Sequence, residues 1–237
     1  MNRKPVFLLA GGRHSRRKGA DPLLQAAFRE SGKESPSVAY IGAASGDDRS
    51  FFNFVTSAFK EAGAGQVKHA VIAPGDADID KAKKILGSAD IIFISGGDVE
   101  AGMDVLKEKG IIDFLCKLYD KGVPFFGLSA GSIMLAAEWV RWPDPNDEAS
   151  AELFPCLGFA PVICDTHDEE GGWEELQAAL ALEKPGTHGY GIATGSGIKV
   201  YPDGRVEAVG GPVFQYIRQS STVKRIDDLR PFSESRK

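Results

Sequence analysis

One stretch of the chain combines residue types that can carry out acyl transfer. Residues 123–132 read Val-Pro-Phe-Phe-Gly-Leu-Ser-Ala-Gly-Ser, so an apolar run ends in Gly-x-Ser-x-Gly before a helical pattern. This order is typical of a nucleophile elbow, in which Ser129 occupies a cramped turn between a strand and a helix. Gly127 and Gly131 lack Cβ atoms, so strand and helix can approach closely there. The Ala130 N–H would lie at a helix N-terminus, where it can stabilise an oxyanion.

A nucleophilic serine needs a general base, and the chain has four histidines. His69 lies inside an apolar run and His188 begins a predicted strand, so neither position indicates catalysis. His167 follows a predicted strand, and in a parallel sheet that edge is also where Ser129 would lie. We therefore predict His167 as the base. A surface histidine at position 167 and an ordinary turn serine at position 129 remain the alternatives.

The elements that must position these residues alternate along the first half of the chain. Predicted strands cover residues 5–10, 37–43, 67–73, 91–95 and 123–128, with helical patterns between them. Right-handed crossovers then favour an α/β fold with a doubly wound, mostly parallel sheet flanked by helices. The turn at residues 202–204 predicts a C-terminal antiparallel hairpin. We expect one domain over residues 1–218, a loop over 139–147, and a polar, loosely held C-terminal tail over 219–237.

The composition argues against several classes of function. The 237 residues carry a formal net charge of −5, which gives no basic face for nucleic acid. No apolar run is long enough to cross a bilayer, so we expect no membrane partner. The three cysteines are scattered without metal-ligand spacing, which predicts reduced thiols in a cytoplasmic protein and no metal site.

Three segments, taken in order along the chain, carry a family resemblance. They are residues 92–98 (Ile-Phe-Ile-Ser-Gly-Gly-Asp), residues 127–132 around the serine, and Asp165-Thr166-His167. Together they resemble the peptidase E and cyanophycinase family of serine peptidases, and residues 189–197 and 203–206 are similar in kind. The family has the class I glutamine amidotransferase-like fold, with serine in place of the usual cysteine of that fold.

The resemblance implies a role for each matching residue. It makes Ser129 the nucleophile, His167 the general base, and the N–H groups of Gly97 and Ala130 the oxyanion hole. Members of the family remove N-terminal aspartyl dipeptides or cut a β-aspartyl-arginine polymer, so the implied partner is a small peptide substrate. No metal or organic cofactor is implied.

The chain departs from the family at the acid that would orient the base. Many members carry a Glu in the segment that matches residues 191–197, where this chain has Ile192-Ala193-Thr194-Gly195. A second candidate acid of the family lies in the loop after the elbow helix, and spacing places Asp144 there. We therefore predict that Asp144 orients His167, with a simple turn residue beside prolines as the alternative.

The second departure concerns the substrate. Aspartyl-specific relatives follow the histidine with aromatic and Arg residues, which can hold a carboxylate. Here Asp168-Glu169-Glu170 follow the histidine and would repel an acidic side chain. A substrate with a cationic or neutral peptide end is therefore at least as plausible as one with an acidic end. We predict Asp98, Asp168 and Glu170 as substrate-binding residues, and Arg13 as a residue that could compensate for the acids.

These observations predict a serine hydrolase that cleaves short peptides as a dipeptidase or exopeptidase. The alternative is a catalytically inactive binding or regulatory homologue of the same fold. An α/β-hydrolase esterase is disfavoured because its triad histidine follows the acid near the C-terminus. A glutamine amidotransferase is disfavoured because residue 129 is not cysteine. The sequence leaves a homodimer open.

Overall fold

The computed structural model describes residues 2–12 and 19–231, which form thirteen strands and seven α-helices. The strands are β1 (Val6–Leu9), β2 (Val38–Ile41), β3 (Val67–His69), β4 (Ile91–Ile94), β5 (Phe125–Leu128), β6 (Glu138–Arg141), β7 (Glu152–Pro155), β8 (Ile163–Thr166), β9 (His188–Ile192), β10 (Gly197–Val200), β11 (Val206–Val209), β12 (Val213–Gln219) and β13 (Thr222–Leu229). The helices are α1 (Pro22–Arg29), α2 (Arg49–Glu61), α3 (Ile79–Gly87), α4 (Val99–Glu108), α5 (Ile112–Asp120), α6 (Ala130–Leu135) and α7 (Glu174–Leu182).

The main sheet has seven strands in the order β11-β10-β1-β5-β4-β2-β3. The five strands from β1 to β3 in this order are parallel, and β10 and β11 add to them antiparallel. The structure therefore confirms the mostly parallel sheet and the antiparallel hairpin that the sequence predicts. Because β5 lies between β1 and β4, the segment that follows β5 emerges beside the loops that follow its two neighbours.

Side chains alternate across the strands and fill two separate cores. In β1, Val6 and Leu8 face a core shared with α3 to α6, whereas Phe7 and Leu9 face α1 and α2. The second core contains edge-to-face aromatic pairs, such as that of Phe28 with Phe59. Burying each large apolar side chain contributes about 2–3 kcal/mol, so both faces of the sheet are held firmly.

Aspartates fix where four helices begin, close to the carboxyl ends of the strands. The N-cap residues whose side chains accept a backbone N–H of the first turn are Asp21, Asp48, Asp78 and Asp98. Each such cap contributes about 1 kcal/mol. The helices α1 to α4 therefore start at defined positions near the carboxyl ends of the strands, which is the edge where open α/β sheets usually bind ligands.

A second sheet has the order β13-β12-β9-β8, with β8 and β9 parallel and the other pairs antiparallel. Helix α7 packs against it through Trp173, Leu176 and Leu180. The strand before His167 thus lies in this sheet, whereas the sequence analysis places it in the main sheet. The expected loose tail is also corrected, because residues 222–229 form β13. β13 is at the edge of its sheet, and its positions are exposed or only partly buried, which suits its polar residues.

The segment after α6 is a third correction. Residues 139–147 read as a loop because proline and aspartate are frequent there. Residues 139–141 instead belong to β6, which pairs with β7 as an antiparallel hairpin, whereas residues 142–147 lie in the loop between the two strands. Val140 is fully buried in the core beneath α7, which explains why this short segment is extended. Among the helices of the described residues, none has the length and apolar content needed to cross a bilayer.

Candidate active site

Ser129 occupies a strained turn between β5 and α6, with φ 53° and ψ −125°. Its N–H donates to the Leu9 carbonyl oxygen at 2.9 Å, which ties the turn to β1. A Cβ atom on Gly127 would lie 2.4 Å from the Gly131 carbonyl oxygen, and one on Gly131 would lie 2.1 Å from the Ile94 carbonyl oxygen. The predicted need for glycine at both positions is therefore confirmed.

A second serine holds α6 against β1. The buried Ser132 hydroxyl accepts the Leu9 N–H at 2.8 Å and donates to the Leu9 carbonyl oxygen at 2.9 Å. Both backbone groups of Leu9 are thus satisfied by one side chain, where an unpaired buried group would cost about 1–3 kcal/mol. Sequence reasoning missed this function, although Ser132 directly follows the Gly-x-Ser-x-Gly pattern.

The structure brings His167 to Ser129. The Ser129 Oγ and the His167 Nε2 are 2.7 Å apart, which is a normal hydrogen-bond distance. His167 follows β8 with φ 47°, and its backbone N–H donates to the Ile192 carbonyl oxygen at 2.9 Å. A hydroxyl beside an imidazole nitrogen in this way can transfer its proton and become a nucleophile.

The residues of the predicted oxyanion donors, Gly97 and Ala130, line the same cavity as Ser129 and His167. Gly97 has φ 145° in the loop after β4, and Ala130 is the first residue of α6. Within the described part of the chain, neither backbone N–H has an acceptor. A Cβ atom on Gly96 would lie 3.1 Å from the Ser129 Cβ, so the Gly96–Gly97 loop passes against the serine. Two free N–H groups beside a hydroxyl can stabilise negative charge on a carbonyl oxygen.

Asp144 does not lie at this pair. Its carboxylate accepts the backbone N–H of Asn146 at 3.0 Å, and its carbonyl oxygen accepts the Ser150 hydroxyl at 2.9 Å. In the described residues no hydrogen bond joins Asp144 to His167. This exposed aspartate lies in the loop between β6 and β7, and its local turn bonds hold the carboxylate within that loop.

A different carboxylate lies near the histidine. Glu169 Oε1 accepts the backbone N–H of Thr194. Burial acts to raise the pKa of Glu169, but the hydrogen bonds from Thr194 and the attraction of His167 outweigh it, so the pKa is lowered. Glu169 is thus held as an anion within electrostatic reach of His167.

A cavity of about 430 Å³ opens beside Ser129. Asp98 and Asp168 line it, as predicted for substrate-binding residues, although both also stabilise backbone. Asp98 caps α4, and Asp168 Oδ2 accepts the Trp173 N–H at 2.8 Å. Glu170 is exposed and is not in the lining. The predicted Arg13 falls outside the described residues.

The cavity also contains acids that sequence reasoning missed. Asp165 is 6% exposed, and burial raises its pKa to about 7. Glu175 accepts the Trp139 indole N–H at 2.7 Å. Asp165 stands two residues before His167, near the end of β8, but sequence reasoning did not single it out. In residues 2–12 and 19–231 no group of His, Cys, Asp or Glu side chains is arranged to hold a metal ion.

The chain is similar to known peptidases over most of its length. A model of peptidase family S51 matches residues 6–207. The peptidase YgaJ of Bacillus subtilis (strain 168) is 25% identical over 201 residues, which are 84% of each chain. The crystal structure of a peptidase from an acI-B1 actinobacterium matches with a TM-score of 0.71 and 14% identity, covering 96% of this chain and 97% of that one. A putative peptidase E of Listeria monocytogenes EGD-e matches with a TM-score of 0.59 and 16% identity, covering 95% and 100%. These two structures have the same fold, and the chain belongs to peptidase family S51.

Proposed function

We propose that this protein is a serine peptidase that cleaves short peptides through an acyl-enzyme. Membership of peptidase family S51 supports peptidase activity in general. The observation that carries the proposal is the distance of 2.7 Å between the Ser129 Oγ and the His167 Nε2. The free N–H groups of Gly97 and Ala130 beside this pair give it the further donors that acyl transfer requires.

In this proposal each proton has a defined donor and acceptor. Ser129 Oγ attacks the carbonyl carbon of the scissile peptide bond while its proton passes to His167 Nε2. The carbonyl oxygen becomes an oxyanion that accepts hydrogen bonds from Gly97 and Ala130. His167 then protonates the leaving amine, and the C–N bond breaks to leave an ester on Ser129. Water activated by His167 hydrolyses this ester and restores the free serine.

We further propose that Glu169 takes the part predicted for Asp144. A carboxylate near the histidine stabilises the imidazolium that forms when the serine is deprotonated. Glu169 has a lowered pKa, so it is charged at neutral pH, and Thr194 limits its movement. Because it follows the histidine by two residues, it acts from the same loop as the base, as a positioning residue.

The test compares wild type with Ser129→Ala on a library of short peptides, analysed by mass spectrometry. A fluorophosphonate probe with peptide mapping reports directly whether Ser129 is nucleophilic. Ser57→Ala is the matched control, because Ser57 is an exposed serine on α2 whose hydroxyl donates to the Asn53 carbonyl oxygen. Cleavage and labelling should be lost only in Ser129→Ala. A wild-type protein that neither cleaves nor reacts would favour the inactive homologue instead.

A further inference from the structure

The cavity beside Ser129 has an acidic lining. Its carboxyl side chains are Asp98, Asp165, Asp168, Glu174 and Glu175. No lysine or arginine of the described residues lines the cavity, and His167 is its single basic side chain there. Exposed carboxylates alone indicate little, because water and salt screen them. The buried member of this set is more informative.

Asp165 is buried without a full set of partners. Its side chain is 6% exposed, and its Oδ1 accepts the Thr166 N–H at 2.7 Å. Its Oδ2 is buried and has no hydrogen-bond partner in the described residues. Native proteins rarely leave such an atom unpaired, because burial removes its water without replacement. Because Asp165 belongs to the lining of the cavity, a donor bound in the cavity is the candidate partner for this oxygen.

The charges around Asp165 indicate what kind of donor fits. The pKa of Asp165 is raised to about 7, with burial as the largest cause and repulsion by Glu175 and Asp168 acting in the same direction. A neutral donor would leave this repulsion in place. A cation would relieve both the burial penalty and the repulsion, since opposite charges favour ionised carboxylates.

Hydrogen bonds hold the side chains of the two neighbouring acids, Glu175 and Asp168, at the cavity wall. The Trp139 indole N–H holds Glu175 Oε2 at 2.7 Å. Asp168 Oδ2 accepts the backbone N–H groups of Trp173 at 2.8 Å and Glu174 at 3.2 Å. Asp165, Asp168 and Glu175, which we call the acidic wall, therefore form a fixed arrangement of carboxyl groups.

We propose that the acidic wall binds a cationic group, an ammonium or a guanidinium, of the peptide that Ser129 cleaves. The proposal rests on the proposed serine peptidase function and names its substrate class. It opposes the aspartyl specificity that the family resemblance implies, because a substrate carboxylate would add to the repulsion among the acids. The cation can come from the free N-terminus of the peptide or from a Lys or Arg side chain, and the chemistry recognised is the same.

The experiment uses four peptides of the form X-Ala-Ala that separate the two sources of charge. X is lysine, norleucine, Nα-acetyl-lysine or Nα-acetyl-norleucine. These peptides carry, in that order, both ammonium groups, the α-ammonium alone, the side-chain ammonium alone, and neither. In wild type, the ratio of kcat/KM for a peptide with an ammonium to kcat/KM for N-acetyl-norleucyl-Ala-Ala should reach about 10 to 100 for at least one of the two ammonium groups. This is the effect of a charge-assisted hydrogen bond. In Asp165→Asn and Glu175→Gln this ratio should fall by about 10-fold.

Controls separate specificity from folding. Glu34→Gln removes an exposed carboxylate outside the cavity lining and should keep the wild-type ratio. Thermal unfolding of each variant shows whether it is folded. Four peptides cleaved at equal rates, or a ratio unchanged in both cavity variants, would overturn the subsite.

Binding measured in Ser129→Ala makes the outcome independent of catalysis. Calorimetry should detect the cationic peptides and not N-acetyl-norleucyl-Ala-Ala, and Asp165→Asn in the same background should lose the difference. Such binding without any turnover in wild type would support the subsite while rejecting the peptidase function. Ser129-dependent turnover without any preference for a charged peptide would support the peptidase function and reject the subsite.

Discussion

A Cβ atom on Gly97 would lie 1.9 Å from the carbonyl oxygen of Ala44. The same carbonyl oxygen accepts the backbone N–H of Asp98 at 2.8 Å, so the loop after β4 is fastened to the loop after β2. Gly97 also has φ 145°, a conformation that residues with a side chain rarely adopt. The course of the loop that carries the Gly97 N–H along the cavity therefore depends on the absence of a side chain at residue 97.

Gly97→Ala should displace this N–H and reduce activity. A contact of 1.9 Å with backbone cannot be relieved without moving the loop. We expect kcat/KM to fall by roughly 10²–10³-fold, as for the loss of one oxyanion donor. Gly75→Ala is the control, because a Cβ there has nothing within 4 Å and should leave kcat/KM unchanged. Steady-state kinetics on one cleaved peptide measures both, and equal activity in the two variants would rule out Gly97 as a donor.

Glu169→Gln should lower kcat about 10-fold with KM within about twofold, because a positioning charge acts on the transition state. Moving the acid to the neighbouring turn supplies a rescue. Glu169→Gln combined with Thr194→Glu restores a carboxylate at the residue whose backbone N–H contacts Glu169, and should recover part of kcat. Glu108→Gln, in an exposed position of α4, is the neutral control. A fall in the single variant with no recovery in the double one would indicate a purely structural role for Glu169.

The stability of the protein should depend on pH through Asp165. Its pKa is raised from 3.8 to about 7, so the folded state keeps a proton that the unfolded state loses above about pH 4. This contribution to stability is fully present below pH 4, falls as pH rises, and is lost above about pH 7. Over that range the wild type should lose on the order of a few kcal/mol relative to Asp165→Asn. Urea unfolding of both proteins at each pH measures the difference, and a constant difference would show an ordinary aspartate.

Sequence patterns predicted the parts of the site that are set by local geometry. Gly127 and Gly131 follow from the close approach of a strand and a helix, and the structure contains that approach. The apolar runs of β4 and β5 are buried strands of a parallel sheet, as their composition indicates. The meeting of Ser129 and His167 was predicted from strand ends, but His167 follows a strand of the second sheet. Their catalytic roles stay predictions.

The features that were missed depend on contacts between distant segments. Val140 is extended because it is buried beneath α7, and residues 139–147 alone carry only turn-forming composition. Asp144 matched the family by spacing, yet spacing does not determine where a carboxylate points. Asp165 was not distinguished from the surrounding acids, because its burial arises only when β8, β9 and α7 pack together.

Asp47→Asn should destabilise the protein more than any exposed aspartate substitution. Asp47 is 9% exposed, and its Oδ2 accepts the N–H groups of Ile72 at 2.6 Å and Ala73 at 2.7 Å, while its Oδ1 lies 2.8 Å from the His69 Nε2. An asparagine amide nitrogen cannot accept hydrogen bonds, so some of these donors would lose their partner. We expect a loss of about 2–3 kcal/mol in the free energy of unfolding.

The pH dependence of this effect has a defined sign. Burial opposes the charge on Asp47, but the hydrogen bonds from His69, Ala73 and Ile72 outweigh it, so its pKa lies below 3.8. The advantage of wild type over Asp47→Asn is therefore present above about pH 4 and is lost as pH falls through the lowered pKa. Asp76→Asn, in an exposed position of the loop that contains Ile72 and Ala73, should change stability by less than about 0.5 kcal/mol. Chemical unfolding between pH 3 and pH 7 compares the three proteins, and equal effects at residues 47 and 76 would contradict a structural role for the buried carboxylate.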